Sequence, residues 1–227
     1  HSSGSPRSEN KYYKALHNLY DDFLILLQNK TPGKKVLDFG CGNGVYTEKV
    51  LNFNPSKITA IDISEKAIEV AKSKNHKTVD YIVENCENTK LNSNSFDLIY
   101  GVGILHHLKL NEAVKEVERL LKKNGNIIFI EPLGTNPAIN LYRKLTPNSR
   151  SADEHPLTFN DIKYFRTLFS KVKINYYGFF TLLFLSLYKS PKDSKIFFIL
   201  SKADQILFKI PFFKFLAWSI LIEAEKN

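Results

Sequence analysis

Asp38-Phe39-Gly40-Cys41-Gly42-Asn43-Gly44 follows the short apolar strand Val36-Leu37-Asp38-Phe39 and runs into a helix expected from about Val45 to Leu51. Three positions without a side chain let the backbone take positive φ and let a ligand come close to it. The amides of this turn, and the start of the helix, face whatever lies above the carboxyl edge of a sheet. A second strand is expected over Ile58 to Ile63. It carries Asp62 near its end, where a carboxylate can accept hydrogen bonds from two ribose hydroxyls. Ser64 can cap the next helix, whose buried face is Ala67, Ile68 and Ala71.

Working outward, strands are expected at Tyr81-Ile82-Val83, Phe96 to Gly101 and Ile127 to Ile130. A helix from Asn111 to Lys122 precedes the last of these, closed by the left-handed signal Asn124-Gly125. Strands alternating with helices at this rhythm mean a parallel sheet covered on both faces. Upstream, Tyr13, Leu16, Leu19, Phe23 and Leu27 recur at helical spacing and predict one amphipathic helix from Asn10 to Gln28. Downstream, residues 132–157 are rich in Pro, Asn, Ser and Thr and read as an irregular insertion. A helix from Phe159 to Phe169 and strands over Val172 to Tyr177 and Ser219 to Glu225 complete the pattern.

The chain has 227 residues, close to what one α/β domain with insertions requires. His1 to Gly4 resemble the remnant of an expression tag, and residues 1–10 are left outside the fold. The formal charge of +9 raises the question of an acidic partner: nucleic acid, an anionic lipid surface or a phosphorylated substrate. The lysines are scattered among Asn, Ser and Phe, which is the pattern of a solvated surface. The two cysteines, Cys41 and Cys86, form no Cys/His cluster with ligand spacing, so no metal is expected. With no cleavable secretory segment visible, a reducing, cytoplasmic setting is expected.

The glycine turn, its preceding acid and Asp62 together resemble the cofactor loop of class I S-adenosylmethionine-dependent methyltransferases. The first motif of that family is an acidic residue followed by Gly-x-Gly-x-Gly, and Asp38, Gly40, Gly42 and Gly44 match it position by position. A dinucleotide dehydrogenase would carry Gly-x-Gly-x-x-Gly with a small residue at 45, where Val45 stands. Asp38 would also repel a pyrophosphate, whereas it suits the cationic aminoacyl end of S-adenosylmethionine. The resemblance covers roughly residues 34–131, a cofactor-binding half within one domain over 11–227. It implies a Rossmann-like sheet of seven mostly parallel strands with helices on both faces, the last strand antiparallel, and a helical insertion or cap. The substrate-side insertions would be 132–157 and 179–218, behind an N-terminal helix at 11–30.

The same resemblance assigns Cys41 and Ile63 to the cofactor site beside Asp62. Glu84 to Asp97 would pass under adenine, with the Cys86 amide near the ring. Asn85 falls where the family usually has an aspartate that accepts from the adenine amino group. Its carbonyl can still accept, without the charge-assisted contribution. Gly101-Val102-Gly103-Ile104-Leu105-His106-His107-Leu108 resembles the His-rich turn beside the transferring methyl, placing Val102 near the sulfonium. The product would be S-adenosylhomocysteine. Methyl transfer needs aligned partners, and a hydroxyl acceptor also needs a base. His155, in Asp153-Glu154-His155-Pro156 beside Glu131, is the leading base candidate, with His106, His107 and Glu131 as further catalytic candidates.

The turn Gly101-Val102-Gly103-Ile104 is not the Asp/Asn-Pro-Pro-aromatic motif of nucleobase amino-group methylation. A small-molecule, glycan or lipid-linked acceptor, methylated at oxygen, is therefore expected ahead of nucleic acid. Two alternatives remain: a catalytically silent cofactor-binding subunit, and an RNA-modifying enzyme. The apolar stretch from Phe179 to Trp218 has no run near the ~20 residues a membrane span needs. It reads as two helices capping the sheet, or as an acceptor pocket or interfacial surface. In the second reading Lys189, Lys192, Lys195, Lys202, Lys209 and Lys214 would meet anionic headgroups, giving peripheral membrane contact.

Overall fold

A computed structural model describes residues 11–146 and 154–227. The segment 1–10, read as a tag remnant, and Asp153 lie outside the described residues. The chain runs through α1 (Lys11–Lys14), α2 (His17–Lys30), β1 (Lys35–Phe39), α3 (Val45–Leu51), β2 (Lys57–Asp62), α4 (Glu65–Ser73), β3 (Val79–Val83) and β4 (Phe96–Val102). It continues with α5 (Leu110–Leu120), β5 (Leu121–Pro132), α6 (Pro137–Leu145), α7 (Phe159–Leu168), β6 (Phe169–Tyr177), α8 (Phe180–Leu183), α9 (Lys195–Leu207) and β7 (Ser219–Lys226).

The seven strands form one sheet in the order β3-β2-β1-β4-β5-β7-β6, in which β7 is antiparallel to both neighbours and the β1, β2, β3, β4 and β5 pairings are parallel. Adjacent side chains on a strand point to opposite faces, and β1 shows this directly. Val36 packs with Leu19, Phe23 and Leu27 of α2 and Ile68 of α4, while Leu37 and Phe39 pack with Val114 and Val117 of α5 and Phe165 of α7. Asp38 therefore lies on the α2 face, in register with Ala60 of β2 and Tyr100 of β4. Strand order reverses between β1 and β4, and at such a switch point the connections diverge and leave a crevice at the carboxyl ends.

Several local expectations hold. Ser64 accepts from the Ala67 amide at 3.3 Å, and the aromatic stretch forms α8, α9 and two short 3₁₀ turns between β6 and β7. Others are corrected. The single N-terminal helix is broken at Ala15 and Leu16, both buried, because Leu16 turns in against Gly178, where a β-carbon would stand 2.8 Å from its Cδ2. The segment 132–157, expected to be irregular, holds α6, capped by the Asn136 side chain, which accepts from the amides of Ala138 and Ile139. Asn124 takes the left-handed φ of 59°, but inside the irregular entry to β5 rather than at a helix end.

The loop before β4 is fixed by Glu116 of α5, which accepts from the Thr89 amide and hydroxyl at 2.9 and 2.6 Å and from Arg119 at 2.6 and 2.8 Å. Burial raises the Glu116 carboxyl, but the bonds from Arg119 and Thr89 win and its pKa ends below the ordinary value. That stabilisation is present above the unfolded pKa and is lost as pH falls through the folded one. Glu116→Gln removes the charge from this network. Urea unfolding at pH 7 should show a loss of about 2 kcal/mol, shrinking as the pH is lowered.

Candidate functional site

The carboxyl end of β1 turns over through three glycines that all have positive φ: 78° at Gly40, 53° at Gly42 and 78° at Gly44. Gly40 is demanded by packing, since a β-carbon there would lie 2.4 Å from Ile104 Cγ1. Gly42 is different: nothing of the protein lies within 4 Å of its missing β-carbon, so the bare backbone faces open space. Asp62, at the end of β2, pins the turn. Its Oδ2 accepts from the Gly42 amide at 2.8 Å and its Oδ1 from the Ser64 amide at 2.9 Å. A carboxylate has about four acceptor sites, so two amides leave room for hydroxyls of a ligand.

Asp38 is only 3% exposed. Its Oδ2 accepts from Thr47 Oγ1 at 2.6 Å and from Tyr100 OH at 2.7 Å, while the residue also lines the cavity described below. Burial pushes the carboxyl up to about 6; the Thr47 and Tyr100 bonds oppose this and the neighbouring Asp62 adds to it. A buried carboxylate so destabilised gains most from a cation placed against it. Burial likewise pushes the Cys41 and Cys86 thiols well up, so neither is a thiolate nucleophile.

The opposite rim is built on Glu131, fully buried at the end of β5. Its Oε1 accepts from the amides of Ile104 and Leu105 at 3.0 and 2.8 Å, and its Oε2 from the His106 amide at 3.4 Å. The same Oε2 lies 2.7 Å from His106 Nδ1. Glu131 thus holds the turn after β4 by its amides and fixes the His106 ring. The His155 amide donates to the His106 carbonyl at 2.6 Å, but the His155 side chain is exposed and outside the cavity lining. His107 does line it.

Between the two rims lies a cavity of about 1080 Å³, whose floor is Asp38, the glycine turn and Asp62 and whose wall is Val102, Gly103, Ile104 and His107. Of the expected cofactor residues, the structure brings Asp38, Gly40, Cys41, Gly42, Asp62 and Val102 to this lining. Gly44 instead caps α3 from behind, Ile63 stands exposed next to Asp62, and Asn85 and Cys86 are not on the lining. The Asn85 side-chain oxygen accepts from the Glu87 amide at 2.9 Å, forming a turn. The mouth is lined by residues that sequence reasoning missed: Tyr13, Lys14, His17 and Tyr20 from the N-terminal segment and Lys192 from the segment before α9. Part of this signal was present, because 17, 20, 21 and 24 form a second stripe at helical spacing on α2 beside the core stripe. His17 pairs with Asp21 at 3.3 Å, and Tyr20 stacks near Tyr46 with centroids 6.3 Å apart.

Residues 37–129 match the family model described as a methyltransferase domain. A ubiquinone biosynthesis O-methyltransferase of Pelagibacter ubique is 40% identical over 122 residues, 51% of this chain and 49% of that protein. The protein of the same name from Thiobacillus denitrificans is 31% identical over 142 residues, 60% of each. The chain thus spans about half to three fifths of the length of these relatives. An S-adenosylmethionine-dependent methyltransferase structure from Mesorhizobium loti superposes with a TM-score of 0.64 at 17% identity, covering 89% of this chain and 95% of that one, a likeness of fold.

Asp38→Asn keeps the shape and removes the charge. Calorimetry should give an S-adenosylmethionine affinity about 10- to 100-fold weaker, the range for a charge-assisted bond. Wild-type affinity should itself fall as pH drops through about 6, where the carboxyl takes up a proton. The ligand-free protein should behave in the opposite sense. Its Asp38 pKa is raised, so this group's contribution to stability is present at low pH and is lost as pH rises through about 6. Thermal melts at pH 8 should show Asp38→Asn no less stable than wild type.

Proposed function

We propose that this chain, which carries a class I S-adenosylmethionine-dependent methyltransferase domain, transfers methyl to a hydroxyl oxygen of a small-molecule or lipid-linked acceptor. The observation that carries the reading is the cavity. At about 1080 Å³ it is as large as the upper range of single-ligand sites, enough for a nucleoside cofactor with an acceptor beside it. Asp38 meets the cationic aminoacyl end, Gly42 gives the backbone approach, and Asp62 takes the ribose. The cofactor supplies an activated methyl on a sulfonium, so the protein's task is alignment and removal of a proton from the acceptor. Two imidazoles line the cavity, His17 at the mouth and His107 on the wall with Val102 and Gly103, and we assign His107, rather than His155, to the acceptor oxygen. His106 and Glu131 act through it by fixing the turn. The O-methyltransferase names of the relatives support oxygen as the acceptor atom.

Turnover is tested by following S-adenosylhomocysteine release with pools of phenolic and polyprenyl-linked hydroxy acceptors. Wild type should release it, His107→Ala should be slowed about 100-fold or more, and His155→Ala should stay near wild type. Saturable cofactor binding with no release from any pool would favour the silent-subunit reading instead.

A lipid-linked acceptor is supported by the surface of the cap. Phe198, Ile199, Ile206 and Phe212 are 63–73% exposed, in a segment that also carries Lys195, Lys202, Lys209 and Lys214. No described helix is long and apolar enough to cross a membrane. Exposed aromatics with lysines around them suit an anionic bilayer surface. Flotation with phosphatidylglycerol vesicles at low salt should carry the protein upward, and Phe198→Ser with Phe212→Ser should release it. Absence of wild-type flotation at low salt would remove the membrane from the proposal.

A further inference from the structure

Behind the cavity wall, His106, His107 and Glu154 each bring one ligand-type atom to within 4.8 Å of the others. They come from the turn after β4 and from the segment leading into α7, which are joined by the His155 amide bond to the His106 carbonyl and by the bridge between Leu133 and Leu157. The two imidazole rings have their centroids 4.1 Å apart.

His106 is oriented by its neighbour: Glu131 Oε2 lies 2.7 Å from His106 Nδ1, so Nε2 is the ring nitrogen that remains for a ligand. A carboxylate behind an imidazole in this way fixes the ring's orientation, which is the usual support of a metal-bound histidine. His106 is buried, while His107 and Glu154 are half-buried, so a bound ion would keep open positions. Two imidazoles and one carboxylate are the donor set of catalytic zinc and of non-haem iron, whereas magnesium favours oxygen donors alone. Sequence reading expected no metal because it looked for cysteine and histidine spacing, and Glu154 lies far along the chain from the two histidines.

We propose that His106, His107 and Glu154 form a binding site for a first-row divalent transition ion beside the cavity that His107 lines. The ion's role rests on the methyl-transfer reading: it would bind the acceptor hydroxyl and lower its pKa, as it does for bound water. The O–H proton then leaves to solvent, the oxygen lone pair forms the bond to the methyl carbon, and the S–C electron pair returns to sulfur. With the ion bound, His107 would reach the acceptor oxygen through the ion and not as the proton acceptor.

The test is a titration of chelator-treated protein with Co2+, read by its visible absorption, and with Zn2+ in competition. Wild type should bind one equivalent of Co2+ that Zn2+ displaces, and His107→Ala and Glu154→Gln should each weaken binding at least about 10-fold. Glu154→Gln should leave S-adenosylhomocysteine affinity unchanged, because Glu154 is off the cavity lining. No saturable Co2+ signal in wild type, or binding that survives both substitutions, overturns the site. Loss of cofactor binding with Co2+ binding intact would instead sink the methyl-transfer reading and leave the metal site standing.

Discussion

The Asp38 carboxylate, nearly sealed at the end of β1, is the constraint around which the carboxyl edge of the sheet is arranged. It is held by Thr47 from α3 and Tyr100 from β4, so the strand before the turn, the helix after it and the strand across the switch point are fixed relative to one negative group. Those two bonds do not restore the solvation that burial removes, and the carboxyl remains raised to about 6. The fold therefore carries an unmet demand for positive charge at the floor of its cavity. A sulfonium nucleoside with a cationic amino group answers that demand, and a pyrophosphate would not.

A second buried carboxylate, Glu131, organises the other rim by different means. It takes the backbone amides of the turn it holds and contacts one imidazole. In the proposed reading Asp38 meets the cofactor, Glu131 holds the turn after β4, and His107 stands between them on the cavity wall. The mouth between them is lined by α1, α2 and the segment before α9, and Lys14 of α1 donates to the Lys189 carbonyl of that segment.

What the sequence made legible was local. The glycine turn, Asp62 and the Ser64 cap each depend on residues within a few positions, and all three stand where they were expected. The helix α6 was equally local, with Asn136 and Pro137 as its cap and first residue, but a composition rich in Pro, Asn, Ser and Thr masked it. The break at Leu16 was not legible, because its cause is contact with Gly178, far along the chain. The pairing of Glu131 with His106, and the approach of Glu154 to both histidines, depend on how β4, β5 and the segment before α7 meet at one edge. No spacing in the chain encodes that meeting. The same limit bears on His155: its backbone amide reaches the His106 carbonyl, while its exposed side chain is not on the cavity lining.

A crystal structure of the protein with S-adenosylhomocysteine tests the central claim most directly. The account requires the ribose hydroxyls on Asp62, the amino group on the Asp38 side of the turn and the sulfur beside Val102 and Gly103, with space left toward His107. A nucleoside bound elsewhere, or a cavity that stays empty at saturating ligand in a well-ordered crystal, would contradict it.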